Sequence, residues 1–570
     1  LMMRNNTRVR ALISILTGLT LILGGCSREE PADIVLLGGG IYTVDASRSW
    51  AEGAAIRGGL IVAVGDDDEI AKYIGTTTHV VELQGRMAMP GIHDSHIHPL
   101  EGAYEQVHCD VSSGDSVAAV QALLRECAAS HSGEWFNAVG LDLALFPVNG
   151  PDNSLLEGIA PDSYIFVDGA DGHAALVNDK ALALAGIDAD TQPPRGGVIE
   201  RRPGGSEPNG TVRESARDLV DQLRPPRSLF VSTEAMRDTI RLLNSHGITS
   251  IVDMWASEHE WQVYQTLEWA GELTVRVNNA LIDEGVFEKH VGADFERVLA
   301  ARGDYASDLV SNDAIKIMVD GVFEGETGAV LEPYAGSDDY LGELNHDPGD
   351  LKRRVQRYYD MGLQLHFHTM GDRAARVALD ALEFARANSS DEGRNLRHSL
   401  SHLGLIHPDD MPRFAELNAA PSFTTVWGHS DEWTVNLEIP TLGRERVTQL
   451  YPLRSVAAAG AIVVGGSDWN YGALDPLLSI ETGVTRSDPY GPSDFEQYTS
   501  EAVGLDLMID AYTINGAWLA HKDEELGSIE AGKRADIVVY DRNLFEIEPN
   551  EISAASVEMT IFDGRVVYDR

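Results

Sequence analysis

Cysteine is nearly absent from this chain: Cys26, Cys109 and Cys127 are the three in 570 residues. So few give no spacing signature for a disulfide framework. Basic residues are scarce as well, with 44 Lys+Arg against 89 Asp+Glu and a formal net charge of -45. A surface of that sign repels phosphate backbones and anionic membranes, which excludes nucleic acid as a partner. The acidic surplus is spread along the chain rather than gathered in a tail, and reads as a solvated surface. No internal repeat and no low-complexity linker interrupts the sequence. What is present is apolar bulk. At 43% hydrophobic, the chain can bury a large core, and its length suggests about two to four domains.

The N-terminus carries Arg4, Arg8 and Arg10, an uncharged stretch from Ala11 to Gly25, then Cys26 and the polar run Ser27-Arg28-Glu29-Glu30. This pattern reads as a secretory signal over residues 1–25, because the apolar stretch is shorter than the ~20 residues of a spanning helix. Leu23-Gly-Gly-Cys26 resembles a bacterial lipobox, which implies acylation of Cys26 and a lipoprotein facing the periplasm, with the outer membrane favoured by Ser27. The membrane is then touched only through that lipid anchor. Cys109 and Cys127 remain, and whether they pair is open.

From Asp33 to about Leu83, short β-branched runs such as Ile34-Val-Leu-Leu and Leu60-Ile-Val-Ala-Val are punctuated by Gly and Asp. The C-terminal end repeats that texture at Ala535-Asp-Ile-Val-Val-Tyr540 and Arg565-Val-Val-Tyr568. Residues 26–86 and 523–570 are therefore expected to pair into one composite β-sandwich. Between them, residues 87–522 alternate apolar strands with amphipathic helices, the texture of a parallel α/β barrel. Nine strands are candidates: Met87–His98, Tyr164–Val167, Ile248–Asp253, Thr274–Ala280, Ala314–Asp320, Gln364–His368, Ser399–Leu405, Pro421–Thr425 and Ala461–Asp468. A (β/α)8 barrel holds eight. Tyr164–Val167 is the one to discard, since the interval from His98 to Ile248 far exceeds one βα unit. Residues 101–226 are accordingly read as an inserted subdomain after the first barrel strand.

The richest stretch is Pro90-Gly-Ile-His-Asp-Ser-His-Ile-His98. On a strand, side chains alternate faces, so His96 and His98 share one side and leave Ile97 to the other. Two converging imidazoles suit a divalent metal. Polar residues also end later strands: Lys316 inside Ala314-Ile-Lys-Ile-Met-Val-Asp320, then His366-Phe-His368, Ser401-His402 and Gly466-Ser-Asp468. Carboxyl ends of barrel strands are where such folds build active sites. An ammonium inside an apolar run needs a carboxylate partner, a depressed pKa or covalent neutralisation.

With these residues the chain resembles the amidohydrolase superfamily of metal-dependent hydrolases. More narrowly, Asp171-Gly-His-Ala-Ala-Leu-Val-Asn178, Lys316 to Gly321, Thr327 to Tyr334, His368-Thr-Met-Gly-Asp372 and Gly527-Ser-Ile-Glu-Ala-Gly-Lys-Arg-Ala-Asp536 resemble its YtcJ-like branch, amidohydrolase family 3. The resemblance covers nearly everything after the signal segment. It implies metal ligands at His96, His98, His368, His402 and Asp468, with Lys316 carboxylated by CO2 and bridging two cations. His366 could substitute for His368, but His368 stands directly before the Gly-Asp turn, as the family's ligand does. His96, His98 and Asp468 would hold the more buried cation, and His368 and His402 the other. Zinc is the first choice of metal, with manganese, iron and cobalt also compatible with these ligands.

The implied reaction is hydrolysis of a non-peptide carbon–nitrogen bond (amide, N-acyl or N-formyl) in a small-molecule substrate, by a metal-activated hydroxide with Asp468 as general base. His173, Trp255, Asp320 and His429 are the expected substrate contacts. The segment Asp320 to Gly328 departs from the family at Glu326, often basic there, and at Gly328, often alanine. A deaminase, a cyclic amide or ester hydrolase on the same metals, and an inactive lipid-anchored binding protein are the alternatives. A homodimer is left open.

Overall fold

A computed structural model describes residues 29–105, 108–194, 196–225, 227–283, 295–389 and 395–570. The expected signal segment 1–25 and the lipidation residue Cys26 lie outside them. No helix among the described residues is long and apolar enough to cross a membrane.

The centre is an eight-stranded parallel sheet in sequence order: Ile92–Ile97, Ile248–Ala256, Arg276–Ile282, Val310–Met318, Gln364–Thr369, Ser399–His402, Ala420–Phe423 and Val464–Gly465. Strand eight is short, and the chain beyond it closes the barrel. Asp468 N–H donates to His96 O at 2.8 Å, and His98 N–H donates to Trp469 O at 2.7 Å. Helices such as Leu229–Ser245, Pro348–Asp360 and Asp372–Asn388 cover the outside. Their starts are written in the sequence. Ser228 caps the first by accepting from Val231 N–H, and Ser257 with Glu260 forms a capping box on Glu258–Trp269. Such caps satisfy N–H groups that the helix cannot. Strand five is buried throughout and strand four along its second half, residues 314–318, so both faces of the sheet are covered there.

Three further sheets lie outside the barrel. One domain joins the chain ends: a four-stranded sheet containing Ile34–Leu37 and Gly53–Arg57, and a six-stranded sheet containing Ile537–Tyr540 and Val557–Phe562. Ile34, Leu36, Ile56 and Val81 from one sheet meet Ile41, Ala88, Ile537, Val539 and Ile561 from the other in a shared core. The expected first strand Met87–His98 is in fact two strands. Met87–Pro90 pairs antiparallel with Ile537–Tyr540 in the end domain, and only Ile92–Ile97 enters the barrel. Gly91 marks the break, because a β-carbon there would stand 2.3 Å from Thr249 Oγ1.

The segment between barrel strands one and two carries its own six-stranded sheet, which includes Trp135–Leu141, Tyr164–Gly169, Ala174–Val177 and Pro208–Arg213. A disulfide joins Cys109 in its edge strand to Cys127 in the helix Val117–Ala128. Asn178 helps build this unit. Its side chain accepts from Ile165 N–H at 3.1 Å and caps the helix Asp179–Ala185 through Ala181 N–H.

Candidate metal centre

His96 occupies the carboxyl end of barrel strand one and His98 lies just past it, both buried. The chain leaving strand eight brings Asp468 against them. One carboxylate oxygen, Oδ1, lies 3.1 Å from His96 Nε2 and 3.0 Å from His98 Nε2. The other, Oδ2, lies 3.8 Å from His402 Nδ1. Asp468 and His402 both hold left-handed backbone, at φ 52° and 72°. Such conformations cost about 1–3 kcal/mol in a non-glycine residue and persist where the surroundings impose them.

The other expected ligands join the same cavity. Lys316, in strand four, places Nζ 3.2 Å from His96 Nε2. The ring of His368, in strand five, stands 4.6 Å from that of His402, centre to centre. His366 is excluded as its substitute because both ring nitrogens are engaged, Nδ1 with Ser399 Oγ at 2.6 Å and Nε2 with Gln364 Oε1 at 3.1 Å.

Burial sets the charges. It lowers the pKa of His96 to about 3, with the Lys316 cation adding to the effect, and drives His368 and His402 well below the usual imidazole range. For Asp468 burial works against the anion, yet the imidazoles of His96 and His402 hold its pKa well below normal. Burial brings the Lys316 amine down to about 7 against the opposing pull of Asp468. Neutral imidazoles around a carboxylate are the donor set that a divalent cation of nitrogen and oxygen preference takes.

The fit to a cation rests on two observations. His96, His402 and Asp468 offer ligand atoms within 4.8 Å of one another. Nδ1 of His96, His98 and His402 is buried with no hydrogen-bond partner. His402 stands between the two implied groups, its ring 4.7 Å from that of His96 and 4.6 Å from that of His368, centre to centre.

The six residues line one cavity of about 730 Å³, shared with His173, Trp255, Trp427 and Tyr471. His173 comes from the insertion. Its Nδ1 lies 2.9 Å from Glu214 Oε2, and its ring stands 5.0 Å from that of His368. Burial disfavours charge on His173, but Glu214 outweighs it and raises the pKa to about 9. Trp255 meets His98 at 6.3 Å between ring centres.

Two of the expected substrate contacts lie off the cavity wall. Asp320 does not line the cavity. It is fully buried behind His368, accepting from the backbone N–H groups of Ala329, Met370 and Gly371 at 2.9 Å each, with Oδ1 3.3 Å from His368 Nδ1. It thereby holds the Nδ1 side of the His368 ring. His429 also stays outside the cavity wall, because the turn Thr425–Gly428 folds its ring back so that Nδ1 donates to Val426 O at 2.6 Å. Strand seven contributes Trp427 instead, stacked on His402 at 5.6 Å between ring centres.

Sequence reasoning missed Glu214, Trp427, Tyr471 and Asp94. Glu214 also accepts from Thr327 Oγ1 at 2.7 Å, tying the insertion to the Asp320–Gly328 segment. Asp94 Oδ1 accepts the backbone N–H of His96 at 3.2 Å and of Ser467 at 3.0 Å, so it aligns strands one and eight. Asp94 had a signal, being the acid inside the His-rich stretch. Glu214 had none.

Comparison with known proteins gives concordant results. A family model described as amidohydrolase family matches residues 79–568. An N-substituted formamide deformylase of Arthrobacter pascens is 28% identical over 94% of this chain and 98% of its own. Protein LONG AFTER FAR-RED 3 of Arabidopsis thaliana is 27% identical over 94% of this chain and 92% of its own. Among solved structures, a metal-dependent hydrolase from Pyrococcus horikoshii superposes with a TM-score of 0.70 at 20% identity, covering 90% of this chain and 99% of that one. That likeness concerns the fold.

Proposed function

The chain belongs to the amidohydrolase family, and on that premise we propose that it hydrolyses an amide, N-acyl or N-formyl bond, using two divalent cations and a carboxylated Lys316. The observation that carries the reading is the convergence of His96, His98, Lys316, His368, His402 and Asp468 on one cavity. Similarity to a formamide deformylase over most of both chains supports the choice of bond.

Lys316 is 1% exposed and has no carboxylate at ion-pair distance among the described residues. A buried amine so placed is costly, and reaction of the neutral amine with CO2, with loss of a proton, would turn it into a carbamate anion able to hold cations. The chemistry that bound cations supply is Lewis acidity, toward water and toward the substrate carbonyl. Asp468 takes the proton of the attacking water and returns it to the leaving nitrogen. His173, anchored through Nδ1 by Glu214, leaves Nε2 for a substrate oxygen. Trp255, Trp427 and Tyr471 form apolar wall around the reacting group.

The test is amine release from N-formyl and N-acyl substrates by metal-loaded protein, with metal content measured in parallel. Asp468→Asn should lower turnover by about 10²- to 10⁴-fold, the scale of one general base. Turnover confined to esters, ammonia release from amino-heterocycles alone, or full activity in that variant would contradict the reading.

Export as a lipoprotein through Cys26 is part of the same proposal. The disulfide between Cys109 and Cys127 supports it, because such bonds persist in oxidising compartments. Fatty-acid labelling that survives Cys26→Ser would refute it.

A further inference from the structure

The insertion supplies a second charged region to the cavity that holds the metal cluster. Most of its charges are matched. Arg217 Nη2 donates to Asp168 at 2.5 Å, Arg224 binds Asp221, Tyr471 donates to Glu101 at 2.9 Å, and Glu214 meets His173. Arg227 is different. Among the described residues no carboxylate lies at ion-pair distance from it, although it lines the same cavity.

Its guanidinium is nevertheless held in place. The guanidinium carbon lies 3.3 Å from the centre of the Tyr104 ring, and Nη2 donates to His108 Nε2 at 2.7 Å. Tyr104 is fixed in turn by a 2.6 Å hydrogen bond to Ser232 Oγ, which lies 2.7 Å from His259 Nε2. The remaining edge carries Nη1, which is buried and has no hydrogen-bond partner. Burial lowers the guanidinium pKa to about 10, so it stays cationic at neutral pH. A stacked guanidinium with a free donor edge is preorganised for a planar anion, and a buried cationic donor without an acceptor is costly.

We propose that Arg227 binds a carboxylate of the substrate, so that the molecule cleaved at the metal cluster is an amide carrying a carboxylate away from the scissile bond. This rests on the carbon–nitrogen hydrolase reading above and narrows it. A carboxylate is favoured over a phosphate dianion, because the net charge of -45 and the acids lining the cavity penalise each further negative charge. Arg227 and the cluster residues line the same cavity of about 730 Å³, a volume in the range that holds a small molecule. Tyr104 follows His98 in the short helix Pro99–Glu105, which links the anchor to the strand that bears His96.

Two arms test this with the metal-loaded full-length protein. The first compares kcat/KM for N-formyl and N-acetyl amino acids with that for their neutral carboxamide counterparts, in wild type, Arg227→Gln and Arg227→Lys. Wild type should favour the carboxylate series. Arg227→Gln should reduce that preference about 10- to 100-fold, chiefly through KM, and Arg227→Lys should restore part of it. The second arm measures binding of 3-phenylpropionate and 3-phenylpropionamide by calorimetry, with the same preference and the same loss expected. A preference untouched by Arg227→Gln, or absent from wild type, overturns the proposal. Arg227-dependent carboxylate binding without turnover of either series would uphold the anchor while refuting the carbon–nitrogen hydrolase reading.

Discussion

Gly466 lies so close to His96 that a β-carbon on it would stand 2.6 Å from His96 Cβ and 2.7 Å from His96 N. This contact joins strand eight to strand one and sets how near Asp468, two residues on, comes to the imidazoles. Gly466→Ala should therefore push the two strands apart, costing about 1–3 kcal/mol by overpacking. Metal content and turnover should fall with it. Gly303→Ala, where nothing lies within 4 Å of the new methyl, is the control. Denaturant titration and metal analysis check both, and equal behaviour of the two variants would refute the role of the contact.

Asp320 receives three backbone N–H groups while its Oδ1 faces His368 Nδ1. Engaging Nδ1 leaves Nε2 of His368 for a cation. Asp320→Asn keeps the shape but replaces one acceptor with a donor that meets N–H groups. Outer partners of this kind are worth about 10- to 100-fold in metal affinity. Competition with a chelator should show a loss of that size, beyond whatever stability is lost. Unchanged metal affinity would make Asp320 only a brace for the loops at Ala329 and Gly371.

The residues that could be found in the sequence are those whose chemistry and local pattern coincide. His96 and His98 share a strand face because side chains alternate. Lys316 stands out as a cation in an apolar run, and a parallel sheet buried on both faces is recognisable from such runs. What escaped depends on long-range geometry. Glu214 meets His173 across 41 positions of sequence, and Trp427 reaches His402 from the next strand. Asp320 looked like a substrate contact from its place after strand four, but three N–H groups from distant loops turn it inward. His429 lies off the cavity wall and Trp427 on it because a single turn of backbone decides which of two neighbouring rings faces inward. The strand Met87–His98 was drawn too long because apolar texture continues through Gly91, where pairing switches from one sheet to another.

The disulfide between Cys109 and Cys127 closes a span of 18 residues, worth about 3 kcal/mol in the chain-entropy account. It ties the insertion's edge strand to its helix, in a core around Val111, Leu124, Phe136 and Ile165 that is separate from the barrel core. Replacing both cysteines by serine should loosen the insertion selectively. Hydrogen exchange should rise in Trp135–Leu141 and Tyr164–Gly169, with little change in barrel strands four and five. Uniform loss of protection across the barrel would show that the two cores unfold together.

Glu438 provides a pH test away from the metal ligands. It is 5% exposed; burial, with Glu324 and Asp431 adding repulsion, raises its pKa from 4.5 to about 8. Between those values the folded protein keeps a proton on this carboxyl that the unfolded chain has released. Stability from this group is therefore fully present below pH 4.5 and is lost as pH rises toward 8, by up to about 1.4 kcal/mol per unit. Glu438→Gln removes the titration while keeping the size. Its stability relative to wild type should climb as pH is raised from 5 to 8, measured by denaturant titration at each pH. A constant difference across that range would mean that Glu438 is already ionised in the folded protein, with its charge met by Arg486, whose field already favours the anion.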